Sequence, residues 1–169
     1  EEDEATHWSK RPDIYWLIDP IDGTASYVNG FDGFVTQVAL MVRHQPVLAS
    51  IYAPKFSELF LAEKGSGAEL NGLPLKAKQP KGRRILIDNY PQPRGLTKQM
   101  YDELGFTGYV ESGSIALKIC RIADGTADIF FKDVMVRDWD IAAPYLVLSE
   151  TGGKITTLNS EPYSFEGDY

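Results

Sequence analysis

The stretch that most constrains the fold is an apolar segment that ends in two closely spaced aspartates. Residues 15–18 form a short apolar run typical of a buried strand, and Asp19-Pro20 is expected to end it in a turn. Asp22 follows three positions after the first aspartate. Two carboxylates held this close together repel each other unless a cation lies between them. The alternative interpretation is an Asp-Pro turn followed by an Asp-Gly turn, both of which are common in loops.

This turn has the chemistry to hold a divalent cation beside an anion. Mg²⁺ takes oxygen ligands that include backbone carbonyls, and the carbonyl of Ile21 lies between the two acids. Gly23 permits close backbone approach, and Thr24 can open a helix whose N–H groups hold an anion. A cation beside an anion-binding turn is what phosphate-ester chemistry requires.

A second acidic candidate lies about 120 residues further along the chain. Asp140 is expected to be the N-cap of a buried helix that runs to Thr151 and stops at a Gly-Gly pair. Pro144 is tolerable only near the first turn, which places the helix start close to Asp140. A capping aspartate needs no further role, so this stretch taken alone indicates structure and not chemistry.

The remaining patterns predict an α+β chain. Strands are expected at residues 34–42, 46–52, 58–63, 85–87, 109–110 and 127–131, and helices at residues 97–104 and 114–123. Hairpins mixed with separated helices are typical of a layered αβ protein and not of a regular βαβ array. The polar, basic segment 76–84 predicts a boundary between a first half, residues 1–77, and a second half, residues 78–169, which fold as one cooperative unit.

Composition and charge exclude several classes of protein. The chain has 17 basic and 24 acidic residues, and a net charge of −7 argues against non-specific binding to nucleic acid or to an anionic membrane. No apolar run approaches the ~20 residues that span a bilayer. The single cysteine, Cys120, excludes an internal disulfide and a multi-thiolate metal site. We therefore expect a cytoplasmic protein without nucleic-acid or membrane partners.

The two acidic stretches together resemble the signatures of the inositol monophosphatase family of Mg²⁺-dependent, lithium-sensitive phosphatases. The first signature, Trp-x-Ile-Asp-Pro-Ile-Asp-Gly-Thr, matches residues 16–24 with Leu17 at the variable position. The second, Trp-Asp-x-Ala-(Ala/Gly) running to Gly-Gly, matches residues 139–153, and Gly113-Ser114 aligns between them. The resemblance covers essentially the whole chain and implies a layered αβαβα sandwich of the sugar-phosphatase type.

The resemblance also implies a site for two or three Mg²⁺ ions. The implied ligands are all oxygen donors: the carboxylates of Glu1, Asp19, Asp22 and Asp140 and the carbonyl of Ile21. Glu2 is the nearest rival of Glu1, because the linker ahead of the first aspartate varies in length in the family.

A direct attack by water on the phosphate follows from the same resemblance. The implied catalytic residues are Glu1, Asp19, Asp22 and Thr24. Thr24 and the glutamate would orient the water, and the amides of Gly23 and Thr24 would hold the phosphate. Gly113, Ser114, Lys118 and Asp133 would complete the substrate site. Asp133 stands where inositol-hydrolysing members receive a ring hydroxyl, and its alternative interpretation is a surface charge at a strand end.

Three functions stay open at this point. Residues 22–30 follow the inositol-type pattern, which favours a small polyol phosphate as substrate. Leu117-Lys118 resembles instead the branch that hydrolyses 3′(2′),5′-bisphosphonucleotides, where Lys118, Lys132 and Arg137 are available to pair with a second phosphate. The third is a non-catalytic protein-interaction role, as in a family relative that acts in transcription. The expected partner is a small phosphate ester, and a homodimer is one assembly open to the chain.

The chain departs from the family at both ends. Family members begin with two helices ahead of the ligand glutamate and finish with another strand and helix, whereas this chain opens at Glu1 and stops at Tyr169. We expect it to be part of a longer gene product. With these residues alone, apolar sheet surface would lie exposed.

Overall fold

A six-stranded antiparallel sheet occupies the first part of the chain. The computed structural model describes residues 11–76, 82 and 84–165. The strands lie side by side in chain order: β1 (Ile14–Asp22), β2 (Val35–Val42), β3 (Gln45–Ala53), β4 (Glu58–Glu63), β5 (Gly67–Leu70) and β6 (Leu73–Pro74). Most of the links between them are tight turns, which keep consecutive strands adjacent. The longer link between β1 and β2 contains the short helix α1 (Thr24–Val28).

A smaller parallel sheet and three helices make up the second part. The central strand β7 (Ile85–Asp88) pairs on one side with β8 (Gly108–Glu111) and on the other with β9 (Ile129–Phe130). The helices are α2 (Gly95–Glu103), α3 (Ile115–Ala123) and α4 (Asp138–Glu150).

The core lies between the two sheets, where α3 and α4 pack. Along β2 every second residue is buried, so that one face of the large sheet points inward. Helix α4 crosses that face from β1 to β5, and α3 packs against α4 and β9. The order sheet, helix pair, sheet confirms the predicted α+β class and gives the centre of the predicted αβαβα sandwich.

The other face of the large sheet is apolar and exposed at β1. Ile14, Trp16 and Ile18 alternate along the strand and are 63%, 57% and 60% exposed. This matches the expectation that these residues alone would leave sheet surface uncovered.

Strand β1 does not end where the sequence pattern predicts. It continues through Asp19-Pro20 to Asp22, with an irregular register between the two aspartates. Proline is tolerated here because β1 is the edge strand of this sheet. Among the described residues it pairs only with β2, which leaves one side of its backbone without ladder bonds. The predicted turn is therefore a bulged strand end, which bends the chain without ending the strand.

Helix α4 begins earlier than predicted, so the assignment of Asp140 as its N-cap is wrong. The N-cap is Arg137 and Asp140 is the third residue of the helix. Its carboxylate still serves the cap, because Oδ2 accepts a hydrogen bond of 2.8 Å from the backbone N–H of Arg137. An earlier start also places Pro144 at the seventh helical residue and not in the first turn.

Two predictions fall on residues outside the described ranges. The segment around the expected boundary includes residues 77–81 and 83, which are not described, and Glu1 lies in the undescribed residues 1–10. The division into two halves therefore stays a prediction. Among the described helices, none combines the length and the apolar content needed to cross a membrane.

Candidate metal centre

Three of the predicted ligands converge in space. Asp19, Asp22 and Asp140 each place one carboxylate oxygen within 4.8 Å of the others. The first two come from the end of β1, and the third comes from the first turn of α4. Residues about 120 positions apart therefore form one acidic cluster, in the arrangement that the two sequence motifs predict.

The bulged end of β1 fixes the first aspartate and its neighbours. The N–H of Ile21 donates to Oδ1 of Asp19 over 3.0 Å, which closes a local turn on the carboxylate. The hydroxyl of Thr36, on β2, donates to the carbonyl of Pro20 over 2.8 Å and ties the bulge to the sheet. The bulge is thus held by hydrogen bonds on both sides of the proline.

The second aspartate is bound to the start of α3. Oδ2 of Asp22 accepts a hydrogen bond of 2.7 Å from the N–H of Ala116, and Ser114 Oγ accepts one of 3.1 Å from the N–H of Leu117. Asp22 therefore satisfies one of the free amides at the N-terminus of a helix from the other part of the chain. Ser114, which was predicted to contact substrate, is the N-cap of this helix and is 2% exposed.

A contact between two glycines brings these segments together. The N–H of Ser114 donates to the carbonyl of Gly33 over 2.6 Å. A Cβ atom added at Gly33 or at Gly113 would overlap the backbone of the other glycine. Close approach of the backbones requires glycine at both positions. Gly33 was missed at the sequence level, because nothing local distinguishes it from any other loop glycine.

Thr24 and the carbonyl of Ile21 are joined directly. Thr24 Oγ1 donates to the Ile21 carbonyl over 3.1 Å, so the hydroxyl proton is directed toward the chain. The hydroxyl oxygen then keeps its lone pairs as acceptors. Gly23, just before α1, has φ +87°, a left-handed conformation that favours glycine.

Lys118 lies inside the protein and not on its surface. It is 0% exposed, and its Nζ donates to Asn89 Oδ1 and, over 2.7 Å, to the carbonyl of Gly113. Asn89 Nδ2 donates to the same carbonyl over 2.8 Å. Burial, followed by the nearby Lys132, lowers the pKa of Lys118 to about 7. These contacts hold the loop ahead of α3, and the predicted contact of Lys118 and Gly113 with substrate stays a prediction.

Asp133 is exposed, as both of its sequence interpretations allow. It lies on the wall of a cavity of about 760 Å³ that is bounded by α3 and by the segment after α4. Its contact with a substrate hydroxyl stays a prediction.

A buried polar network at the start of α4 was not predicted. Asp138, the first residue of the helix, is paired with Arg11, whose Nη1 also donates to the carbonyl of Phe165 over 2.9 Å. The hydroxyl of Tyr163 donates to the other carboxylate oxygen of Asp138 over 2.9 Å. Chain segments from before β1 and after α4 thus meet two residues from Asp140. Partners so distant in sequence leave no local pattern.

The donor set of the acidic cluster fits a hard divalent cation. The pKa of Asp22 is raised from 3.8 to about 7, mainly by burial, with smaller contributions from the nearby charges of Asp19 and Asp140. Three carboxylates this close repel one another, and a cation bound between them would offset that repulsion. Oxygen atoms are also the ligands that Mg²⁺, Ca²⁺ and Mn²⁺ prefer.

Divalent cations are therefore expected to stabilise the protein more at pH 8 than at pH 5. The pKa of Asp22 is raised in the folded state, so its contribution to stability is complete below about pH 4 and is lost as the pH rises to about 7. A cation binds the ionised carboxylate and offsets that loss. The measurement is the melting temperature with and without saturating Mg²⁺ at both pH values. An equal Mg²⁺-dependent shift at the two pH values would contradict this interpretation.

Comparisons with known proteins show what the chain is similar to. The model of the inositol monophosphatase family matches residues 1–168. The chain is 35% identical over 158 residues to Nus factor SuhB of Pasteurella multocida, a match that covers 89% of this chain and 59% of the relative. It is 32% identical over 158 residues to 3′(2′),5′-bisphosphate nucleotidase CysQ of Aggregatibacter actinomycetemcomitans, covering 89% of this chain and 58% of that protein.

A solved structure shows the same fold. The inositol monophosphatase from Anabaena (Nostoc) sp. PCC 7120 superposes with a TM-score of 0.79 and 28% identity, over 92% of this chain and 64% of that one. The chain thus spans less than two thirds of the length of each of these proteins. The family match over nearly every residue and the shared fold lead to one conclusion: this chain belongs to the inositol monophosphatase family.

Proposed function

We propose that the protein hydrolyses a small phosphate monoester with the help of Mg²⁺ ions bound by the acidic cluster. The observation that carries the proposal is the convergence of Asp19, Asp22 and Asp140 beside the Gly23-Thr24 turn. Membership of a family that includes named phosphatases supports it. The carbonyl of Ile21 and the carboxylate of Glu1 are the proposed additional ligands, and two or three ions is the proposed number.

The three aspartates in this proposal lie on two elements. Asp19 and Asp22 would hold the ions from the end of β1, and Asp140 would hold them from α4. A bound divalent ion lowers the pKa of a coordinated water and neutralises charge on the leaving oxygen. The protein contributes position and electrostatics, and the proposal includes no covalent enzyme intermediate.

Thr24 is the proposed positioning group for the attacking water. Because its own O–H donates to the Ile21 carbonyl, Oγ1 is left to accept a hydrogen bond from that water. Together with Glu1 it would set the direction of attack on the phosphorus. The backbone amides of Gly23 and Thr24 are the proposed contacts of the phosphate oxygens.

An inositol-type polyol phosphate is the proposed substrate, and a 3′(2′),5′-bisphosphonucleotide is the alternative. The burial of Lys118 against Asn89 and Gly113 supports the first, because its ammonium group is already bonded within the protein. The exposure of Asp133 also supports the polyol phosphate, since an exposed carboxylate can accept a hydrogen bond from a substrate hydroxyl. The name of the Aggregatibacter relative supports the second.

A protein-interaction role is the second candidate function. It is favoured by the 35% identical Pasteurella relative, which is named as a Nus factor. Such binding would not depend on the acidic cluster. An Asp22→Asn variant that keeps partner binding but loses phosphate release would show that the two roles are separate.

Phosphate release from two substrates tests the proposal. We expect Mg²⁺-dependent release that is abolished by EDTA and is faster with inositol 1-phosphate than with adenosine 3′,5′-bisphosphate. If Lys118 binds a second phosphate, Lys118→Met would impair only the nucleotide reaction, by about 1.5–3 kcal/mol for a charge-assisted contact. Lys98→Met, at an exposed lysine on α2 that pairs with Asp102, serves as the matched control for lost charge. Phosphate release that does not require Mg²⁺ and is not inhibited by EDTA would contradict the proposed chemistry.

A further inference from the structure

Gln37 is a buried amide on a strand face that is otherwise apolar. It is 1% exposed, and its inward-facing neighbours on β2 are Val35, Ala39 and Met41. Burying an amide costs free energy unless its hydrogen bonds are made, so a hydrocarbon side chain would suit packing alone. The amide therefore needs an explanation other than core packing.

One half of the amide donates to a helix carbonyl whose usual helical donor is missing. Nε2 of Gln37 donates to the backbone carbonyl of Asp140 over 3.4 Å. In a regular helix this carbonyl would accept from the N–H four residues later, but that residue is Pro144, which has no N–H. Gln37 thus supplies a donor to the residue whose side chain belongs to the acidic cluster.

The other half of the amide is unpaired. Oε1 of Gln37 is buried and has no hydrogen-bond partner within residues 11–76, 82 and 84–165. Gln37 pairs directly with Asp19 in the β1–β2 register, and directly paired residues point to the same face with Cβ atoms about 4.5–5.5 Å apart. The unpaired oxygen therefore lies beside both elements that carry the cluster.

We propose that Gln37 is a positioning residue of the metal centre. Nε2 holds the carbonyl of Asp140, and Oε1 accepts a hydrogen bond from a water molecule bound in the acidic cluster. Water on a divalent cation is a strong donor and needs an acceptor of this kind. An amide provides one without adding a further negative charge to the carboxylates of the cluster. This inference rests on the proposed metal-dependent function.

Two measurements on the full chain test the inference. The first is the affinity for Mn²⁺, monitored through the electron paramagnetic resonance signal of the free ion. The second is the melting temperature without metal. Gln37→Met is expected to weaken Mn²⁺ binding about tenfold. It should leave the melting temperature within about 2 °C of the wild type, because the variant loses the hydrogen bond to the Asp140 carbonyl but also removes the buried, unpaired Oε1. Leu40→Met, on the outward side of β2, is the matched control and should change neither value.

A second variant separates the two halves of the amide. Pro144→Ala restores a helical N–H for the carbonyl of Asp140, so this carbonyl no longer depends on Gln37. In the double variant Gln37→Met/Pro144→Ala, the metal-free melting temperature should reach or exceed the wild-type value, while Mn²⁺ binding stays about tenfold weaker. Since the added N–H favours the helix, this variant also keeps the test open if Gln37→Met alone fails to fold.

Each remaining outcome overturns a defined claim. Unchanged Mn²⁺ affinity in Gln37→Met, with or without a lower melting temperature, would show that Gln37 is only structural. Affinity that returns to the wild-type value in the double variant would show that Oε1 binds no water. Failure of the wild type to bind Mn²⁺ in an Asp22-dependent way would instead overturn the proposed function itself.

Discussion

Replacing Asp22 with asparagine is expected to lower Mg²⁺-dependent phosphate release by about two to three orders of magnitude, the range typical of losing one preorganised electrostatic group. The fold should survive, because the amide keeps an oxygen that can accept the 2.7 Å hydrogen bond from Ala116. Asparagine also replaces a buried carboxyl group, whose pKa is raised to about 7, with a neutral amide. The metal-free variant should therefore melt at or above the wild-type temperature.

The matched control for this variant is Asp32→Asn. Asp32 is exposed, and its carboxylate lies 3.4 Å from Lys55, a surface pair that contributes little to stability. It should release phosphate at the wild-type rate. Equal rates of phosphate release for Asp22→Asn and the wild type would show that the acidic cluster takes no part in the reaction.

The second large effect is expected from Gly113→Ala. A Cβ atom here would lie 2.2–2.5 Å from backbone atoms of Gly33, which cannot move aside as the end of a flexible side chain can. Overpacking of this kind costs about 3 kcal/mol, which corresponds to about 6–12 °C in melting temperature for a chain of this size. The displaced α3 would also withdraw the N–H of Ala116 from Asp22, so Mn²⁺ binding should weaken in parallel.

Gly108→Ala provides the control for this glycine. Gly108 lies on β8, and a Cβ there would meet Ile85 side-chain atoms at 3.4–3.9 Å, which is ordinary van der Waals contact. Calorimetry of the two variants should separate them clearly. A melting temperature for Gly113→Ala close to that of Gly108→Ala would show that the contact between the two glycines is not required.

Local sequence patterns predicted the parts of the site that are built locally. The site begins with the apolar run of residues 15–18, which is followed by two aspartates three positions apart and then by Gly-Thr. Because these residues are neighbours in sequence, their arrangement follows from turn chemistry. The end of β1 was predicted less well. An edge strand tolerates Pro20, and no single-sequence pattern shows which strand will lie at the edge.

The start of α4 shows a second limit. An aspartate can cap a helix from the N-cap or, reaching back, from the third helical position, and both fit a helix beginning near residue 140. The structure has the second arrangement, and the bond from Arg137 N–H to Asp140 reveals it. The earlier start also moves Pro144 into the helix, so that the Asp140 carbonyl, which Gln37 contacts, lacks its usual helical donor.

Contacts between distant segments were beyond sequence reasoning. Lys118 was considered for a second phosphate because Leu117-Lys118 resembles the bisphosphonucleotide branch of the family, whereas the protein places Lys118 at 0% exposure against Asn89 and Gly113. Gln37 did leave a signal. It is a lone amide in the inward-facing series of β2, and such a local exception often marks a functional position.

Diffraction from crystals of the protein soaked in Mn²⁺, recorded with the anomalous signal of manganese, tests the central claim most directly. We predict an anomalous peak within coordination distance of carboxylate oxygens of Asp19, Asp22 and Asp140, since three oxygens within 4.8 Å of one another can share one ion. Crystals of Asp22→Asn should lose most of that peak. A map from wild-type crystals with no peak between these three side chains would contradict the account.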